Sequence, residues 1–191
     1  HKLLMKSPFY FIVKPLKGRR YDNTKEIAGL EIVVSTSEED HMFSNRYAKV
    51  VELPIGYKGA IKEGDTLLVH HNVFKFYNDM KGRQKSGRSF FKDDLFFVDN
   101  EQFFMYHNGT EWTAHDRFCF VEPIKKEDSV IYKNSIEEPL VGIMRYPNEH
   151  LLSMGLKAGD RVSFTPDSEY EFTVDDEKLY RIYDHQITMS L

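Results

Sequence analysis

A single cysteine, Cys119, occurs in the 191 residues. That excludes an internal disulfide and any multi-cysteine zinc site, and it makes a reducing compartment the default expectation. Long hydrophobic runs are missing as well. The longest, FYFIV at Phe9–Val13 and LVGIM at Leu140–Met144, reach about five residues, far from the roughly 20 that a membrane-spanning helix needs. The opening HKLLMKSPFYF has neither an apolar stretch of signal-peptide length nor a small-residue cleavage site. A cytoplasmic protein is expected. Charge of one sign is not in excess: the net charge is -4 and the pI is near 6.1. Neither nucleic acid nor an anionic membrane is called for as partner on electrostatic grounds. No G-x-S-x-G, P-loop or dinucleotide fingerprint is present, so no enzyme class and no cofactor is indicated.

What is present is β-forming material. With 41% hydrophobic and 29% charged residues the chain is ordinary globular protein, not a disordered one. Its 15 Phe and 11 Tyr fall in short clusters with β-branched neighbours, bounded by Gly, Pro, Asn and Asp. The best helical candidate is short, NEHLLSMGL at Asn148–Leu156, ended by Gly155. The fold class is therefore all-β.

Three pairs of segments match in the same order. FIVKPLK (Phe11–Lys17) resembles CFVEPIK (Cys119–Lys125). AIKEGDTLLVHHNVFKF (Ala60–Phe76) resembles GLKAGDRVSFTPDSEYEF (Gly155–Phe172). FVDNEQFFMY (Phe97–Tyr106) resembles TVDDEKLYRIY (Thr173–Tyr183). Ordered self-similarity of this kind marks a repeated structural unit, here 1–116 and 117–191. Two features distinguish the first copy: a long connection over 17–46 and a basic insert over 78–94. Long connections in compact domains are commonly functional.

The order of parts resembles the co-chaperonin family, the GroES-like lids of GroEL-type chaperonins. It runs from an opening FIVKP strand, through a long polar loop holding AGLEIVVS, then RYAKVVELP, IKEGDTLLV and the VDNEQFFMY hairpin. The resemblance covers most of the chain, once per half, and implies two fused GroES-like small β-barrel units. It departs from the family in several places. Ala28-Gly29 stands where Gly-Gly is usual, and one extra residue precedes Ile32-Val33-Val34. The segment Pro54–Asp65 is too short for a roof hairpin, and the second copy has only a short connection, Ser129–Pro139. The chain thus looks like a divergent tandem form. That divergence is compatible with a viral source and the cytoplasm of an infected host.

The resemblance implies a non-enzymatic protein, without a cofactor, that caps a GroEL-type chaperonin as a homo-oligomeric ring. It implies Gly29, Leu30, Ile32, Val33 and Val34 as chaperonin contacts, since aliphatic residues on a loop can order into an apolar groove. Two other readings of the same residues stand beside it. Leu30–Val34 can be an edge strand packed on the barrel with Gly29 as its turn. Alternatively the GroES fold can serve a structural or binding module, such as a viral particle component or host-factor adaptor, without chaperonin activity.

Lys81, Arg83, Lys85 and Arg88, with Lys92 beside Phe90 and Phe91, form a possible second contact loop or a single-strand contact. The glycines among them suit a solvated hairpin tip, the preferred reading. His70 and His71 are adjacent on a predicted strand, where neighbours point to opposite faces. His107, His115 and Asp116 match no zinc spacing, so no metal is expected. Cys119 alternates with apolar residues and reads as a buried thiol. Asn108-Gly109 reads as a tight turn rather than as a glycan acceptor.

Overall fold

A computed structural model describes residues 6–16, 24–27, 30–33, 46–78, 80–125 and 137–191. It divides into two compact units, His1–Glu111 and Trp112–Leu191, a little ahead of the boundary drawn from the repeat.

The first unit contains β1 (Phe11–Pro15), β2 (Thr24–Ile27), β3 (Leu30–Val33), β4 (Tyr47–Glu52), β5 (Thr66–Val69), β6 (Phe76–Asn78), β7 (Gln84–Ser86), β8 (Phe90–Lys92), β9 (Leu95–Val98) and β10 (Phe103–His107). The second contains β11 (Trp112–Ala114), β12 (Phe118–Lys125), β13 (Glu137–Tyr146), α1 (Glu149–Ser153), β14 (Arg161–Phe164), β15 (Tyr170–Val174), β16 (Glu177–Tyr183) and β17 (Ile187–Ser190). The protein is mostly β, and among the described residues the ladders within each unit are antiparallel.

In the main sheet the strands of the first unit follow the order β10-β5-β4-β1-β9-β8; those of the second follow β17-β14-β13-β12-β16-β15. These are one topology. The opening strand lies inside the sheet, and its β-branched and aromatic residues are buried on both faces: Phe11, Ile12 and Val13, and Phe118 through Val121. Among the described residues the outermost strands of each order do not pair with each other, so both ladders are open.

The turn before β5 and the turn before β14 are the same. Gly64 and Gly159 adopt φ of +92° and +94°, a region that glycine enters without a Cβ penalty. The Gly64 amide donates to Val50 O and the Val50 amide to Asp65 O, both at 2.8 Å. Gly159, Met144 and Asp160 repeat this, also at 2.8 Å.

The third matched pair of the sequence is corrected by the register. Phe11 faces Val98 while Cys119 faces Ile182, which makes Val98 the counterpart of Ile182, not of Val174. Gln102 is then the counterpart of Gln186. Each side chain accepts an amide three residues back, from Asp99 at 3.0 Å and Tyr183 at 2.8 Å. The Asp175-Asp176 hairpin corresponds instead to Asp93-Asp94, which joins β8 to β9. Both pairs read Asp-Asp because a tight hairpin needs positive φ, found at Asp93, Asp175 and Asp176. The sequence match followed the similar letters of neighbouring hairpins one strand out of step.

Each unit has its own core. Phe11, Val13, Val50, Leu67, Val69 and Phe103 form the first with Phe74 and Phe96, whose rings meet edge-on at 4.8 Å. Cys119, Val121, Met144, Val162, Phe164 and Ile182 form the second. Full burial of a large apolar side chain contributes about 1.5–3 kcal/mol, so these equivalent positions dominate the stability of both units. The helix α1 begins where the sequence placed it. The Asn148 side chain accepts the Leu151 amide at 2.8 Å as N-cap, and Gly155 follows with φ of +90°.

Candidate functional site

Two described segments, 24–27 and 30–33, lie in the connection between β1 and β4. They form a separate two-stranded ladder in which Leu30 faces Ile27, Ile32 faces Lys25 and Val33 faces Thr24. Leu30–Val33 is thus a strand, as one reading of the sequence had it, but it pairs with β2 and not with the main sheet. Gly29 and Val34, together with residues 17–23 and 34–45 of the long connection, lie outside the described residues. So does most of the corresponding connection in the second unit, 126–136.

The basic insert is also a hairpin. β6 and β7 pair so that Lys85 faces Tyr77, and Gly82 at φ of +74° serves the turn between them. Lys81, Arg83, Lys85 and Arg88 are exposed. Arg88 departs from the other three, because it lines a groove of about 940 Å³ in the first unit. Lys75 and His70 contribute to the same groove, and Tyr10, Phe97, Asp99 and Glu101 supply aromatic and acidic surface. The Tyr10 and Phe97 rings lie 5.7 Å apart. The turn beneath is rigidly held: the Glu101 amide donates to Asp99 Oδ1 at 2.8 Å, and Gln102 Nε2 donates to Ser89 Oγ at 3.1 Å. Nothing in the residue order announces this groove, since its residues come from four separated segments.

His70 and His71 are not on a strand. They follow β5, and their rings are tilted by 31° with centroids 4.2 Å apart. The opposite-face argument therefore does not apply to them. His107 Nδ1 accepts the Gly109 amide at 3.0 Å, and Asn108 Oδ1 accepts the amides of Thr110 and Glu111 at 2.9 and 3.0 Å. Those side chains serve the turn. Among the described residues no group of three His, Cys, Asp or Glu is placed to hold a metal ion, and no helix is long and apolar enough to cross a membrane.

Cys119 is fully buried in the second core and its thiol lies 3.6 Å from Ile182 O. Burial, with a smaller contribution from the Asp184 charge, pushes its pKa up to about 12, which suppresses the nucleophilic thiolate. Another polar cluster pins the start of β13. Lys178 Nζ and Tyr180 Oη each donate to a different oxygen of Glu137 at 2.6 Å. Burial raises the Glu137 pKa, but the hydrogen bonds from Lys178 and Tyr180 and the lysine charges outweigh it, leaving the carboxyl below its ordinary value.

No family model matches the chain, and no curated protein matches it.

Proposed function

We propose that the protein is a co-chaperonin of tandem GroES-like form, a lid that caps a GroEL-type chaperonin and assists ATP-dependent folding inside it. The observation that carries this reading is the β2–β3 ladder. It lies in the chain between β1 and β4, is a ladder apart from the main sheet, and carries Leu30, Ile32 and Val33 in β3. A lid needs an aliphatic segment that is separate from its own core and free to enter an apolar groove on the partner.

The physical logic suits reversible capping. A two-stranded ladder is marginally stable by itself, so docking pays an ordering cost and each contact stays moderate in affinity. Several such hairpins around a homo-oligomeric ring then add through avidity. The two units, each a GroES-like β unit with an open ladder, form the body of the lid in this reading, and nucleotide binds to the chaperonin rather than to the lid.

The test is co-elution of the full chain with a GroEL-type chaperonin on a sizing column, with and without ATP. Nucleotide-dependent co-elution, abolished by Ile32→Asp with Val33→Asp while the β-sheet signal persists, is the expected result. A folded wild-type protein that never co-elutes moves the reading to a structural or binding module. A double variant that loses its sheet signal assigns the aliphatic strand to the core.

A further inference from the structure

The register that aligns the two units also shows what the groove of the first unit lacks. With Phe11 opposite Val98 and Cys119 opposite Ile182, Tyr10 corresponds to Phe118, Phe97 to Arg181, and Asp99 to Tyr183. The Phe97 amide donates to Ser89 O at 2.6 Å, and Tyr170 pairs with Arg181, so Ser89 corresponds to Tyr170.

In the second unit these positions close on themselves. The Arg181 guanidinium lies 5.3 Å from the Phe118 ring, 5.0 Å from Tyr170 and 5.7 Å from Tyr183. A planar cation among aromatic faces gains both stacking and charge–quadrupole attraction. The first unit has no arginine at this place. Phe97 replaces it, and the two tyrosines are reduced to Ser89 and Asp99. Ser89 and Asp99, which stand where those rings would be, both line the groove of about 940 Å³. One aromatic pair remains, Tyr10 with Phe97 at 5.7 Å. Two carboxylates have been added to the lining, at Asp99 and Glu101.

We infer that this groove binds an extended polypeptide segment through an arginine side chain. The guanidinium seats against Tyr10 and Phe97 and faces Asp99 and Glu101, replacing from outside the cation that the second unit supplies from within. Arg88 and Lys75, also in the lining, take an acidic side chain on the same segment. A mixed-sign lining of this kind disfavours a nucleic acid strand, whose uniformly negative backbone would meet the two carboxylates, and it disfavours a polycation at the Arg88 side. A polypeptide carrying both signs satisfies both walls.

This inference does not rest on the chaperonin reading, and its test contains no chaperonin. The full chain is titrated into a fluorescein-labelled peptide with one arginine flanked by glutamates in a glycine-serine background. A second peptide carries citrulline, the neutral isostere, in place of arginine. The arginine peptide is expected to bind at least about tenfold more tightly than the citrulline peptide. Asp99→Asn with Glu101→Gln is expected to erase that preference. Asn at 99 keeps an oxygen for the Glu101 amide, so the turn is preserved, and an unchanged urea midpoint verifies it. Equal affinity for the two peptides, no binding of either, or a preference that survives the double variant overturns the proposal. So does tighter binding of oligodeoxythymidylate in the same assay.

Discussion

Asp65 and Asp160 perform one task in two places. Asp65 Oδ2 accepts the Lys62 amide at 2.9 Å and Asp160 Oδ2 accepts the Lys157 amide at 3.0 Å. In each case the preceding glycine adopts positive φ, and nothing lies within 4 Å of a Cβ built on it. The Gly-Asp dipeptides that suggested a repeat are thus equivalent as hydrogen-bonded turns as well as in letters.

That equivalence makes a stability prediction. Gly64→Ala and Gly159→Ala meet no steric obstacle, so the cost is the backbone conformation alone, about 1–2 kcal/mol each. Urea unfolding should show lowered midpoints for both single variants. A midpoint unchanged in either one would mean that its turn relaxes to negative φ.

Glu137 gives a pH dependence whose sign is fixed. Its folded pKa is lowered, since the hydrogen bonds from Lys178 and Tyr180 outweigh the effect of burial. Its contribution is therefore complete above the pKa of an unfolded carboxyl and is lost as pH falls through the lower folded value. The hydrogen bond to Glu137 raises Lys178, and that contribution disappears only above the ordinary lysine range. With side chains 40% and 27% exposed, solvent screening limits the pair to under about 1 kcal/mol. Glu137→Gln should lower stability slightly at neutral pH and reduce the loss on acidification. Urea midpoints across the acidic range compare the two proteins, and parallel curves would show that the carboxylate contributes nothing.

Cys119 should be silent in the native state. A thiol pushed up to about 12 and fully buried offers neither thiolate nor access. A disulfide-exchange reagent at mildly alkaline pH should label it only in denaturant, at a rate set by opening of the second core. Rapid labelling of the native protein would contradict the burial.

Several features were legible from residue order because local chemistry dictates them. Asn148 and Gly155 bracket a helix through a side-chain cap and a positive-φ stop, and both signals are visible in NEHLLSMGL. Gly82 and Gly109 mark turns for the same kind of reason. The β content followed from clustered aromatic and β-branched residues. The Val98 and Val174 matching went astray because Val-Asp followed by a polar residue is turn chemistry, and similar turns recur on neighbouring hairpins. Only the pairing of Phe11 with Val98 and of Cys119 with Ile182 distinguishes them. A strand at Leu30–Val34 with Gly29 as its turn was among the readings of the sequence, but its pairing with Thr24–Ile27 was not, since strands of four residues among polar neighbours carry no mark of their partner.

The sequence by itself determined a β protein built twice, with its turns at the Gly-Asp dipeptides, because turn chemistry and side-chain branching act over a few residues. Tertiary structure alone decided which strands are neighbours, that Leu30–Val33 pairs with Thr24–Ile27 and not with the main sheet, and that Tyr10, Phe97, Asp99 and Glu101 share one groove. Those facts depend on ladder register between distant segments, and a one-residue slip in register reverses every side chain.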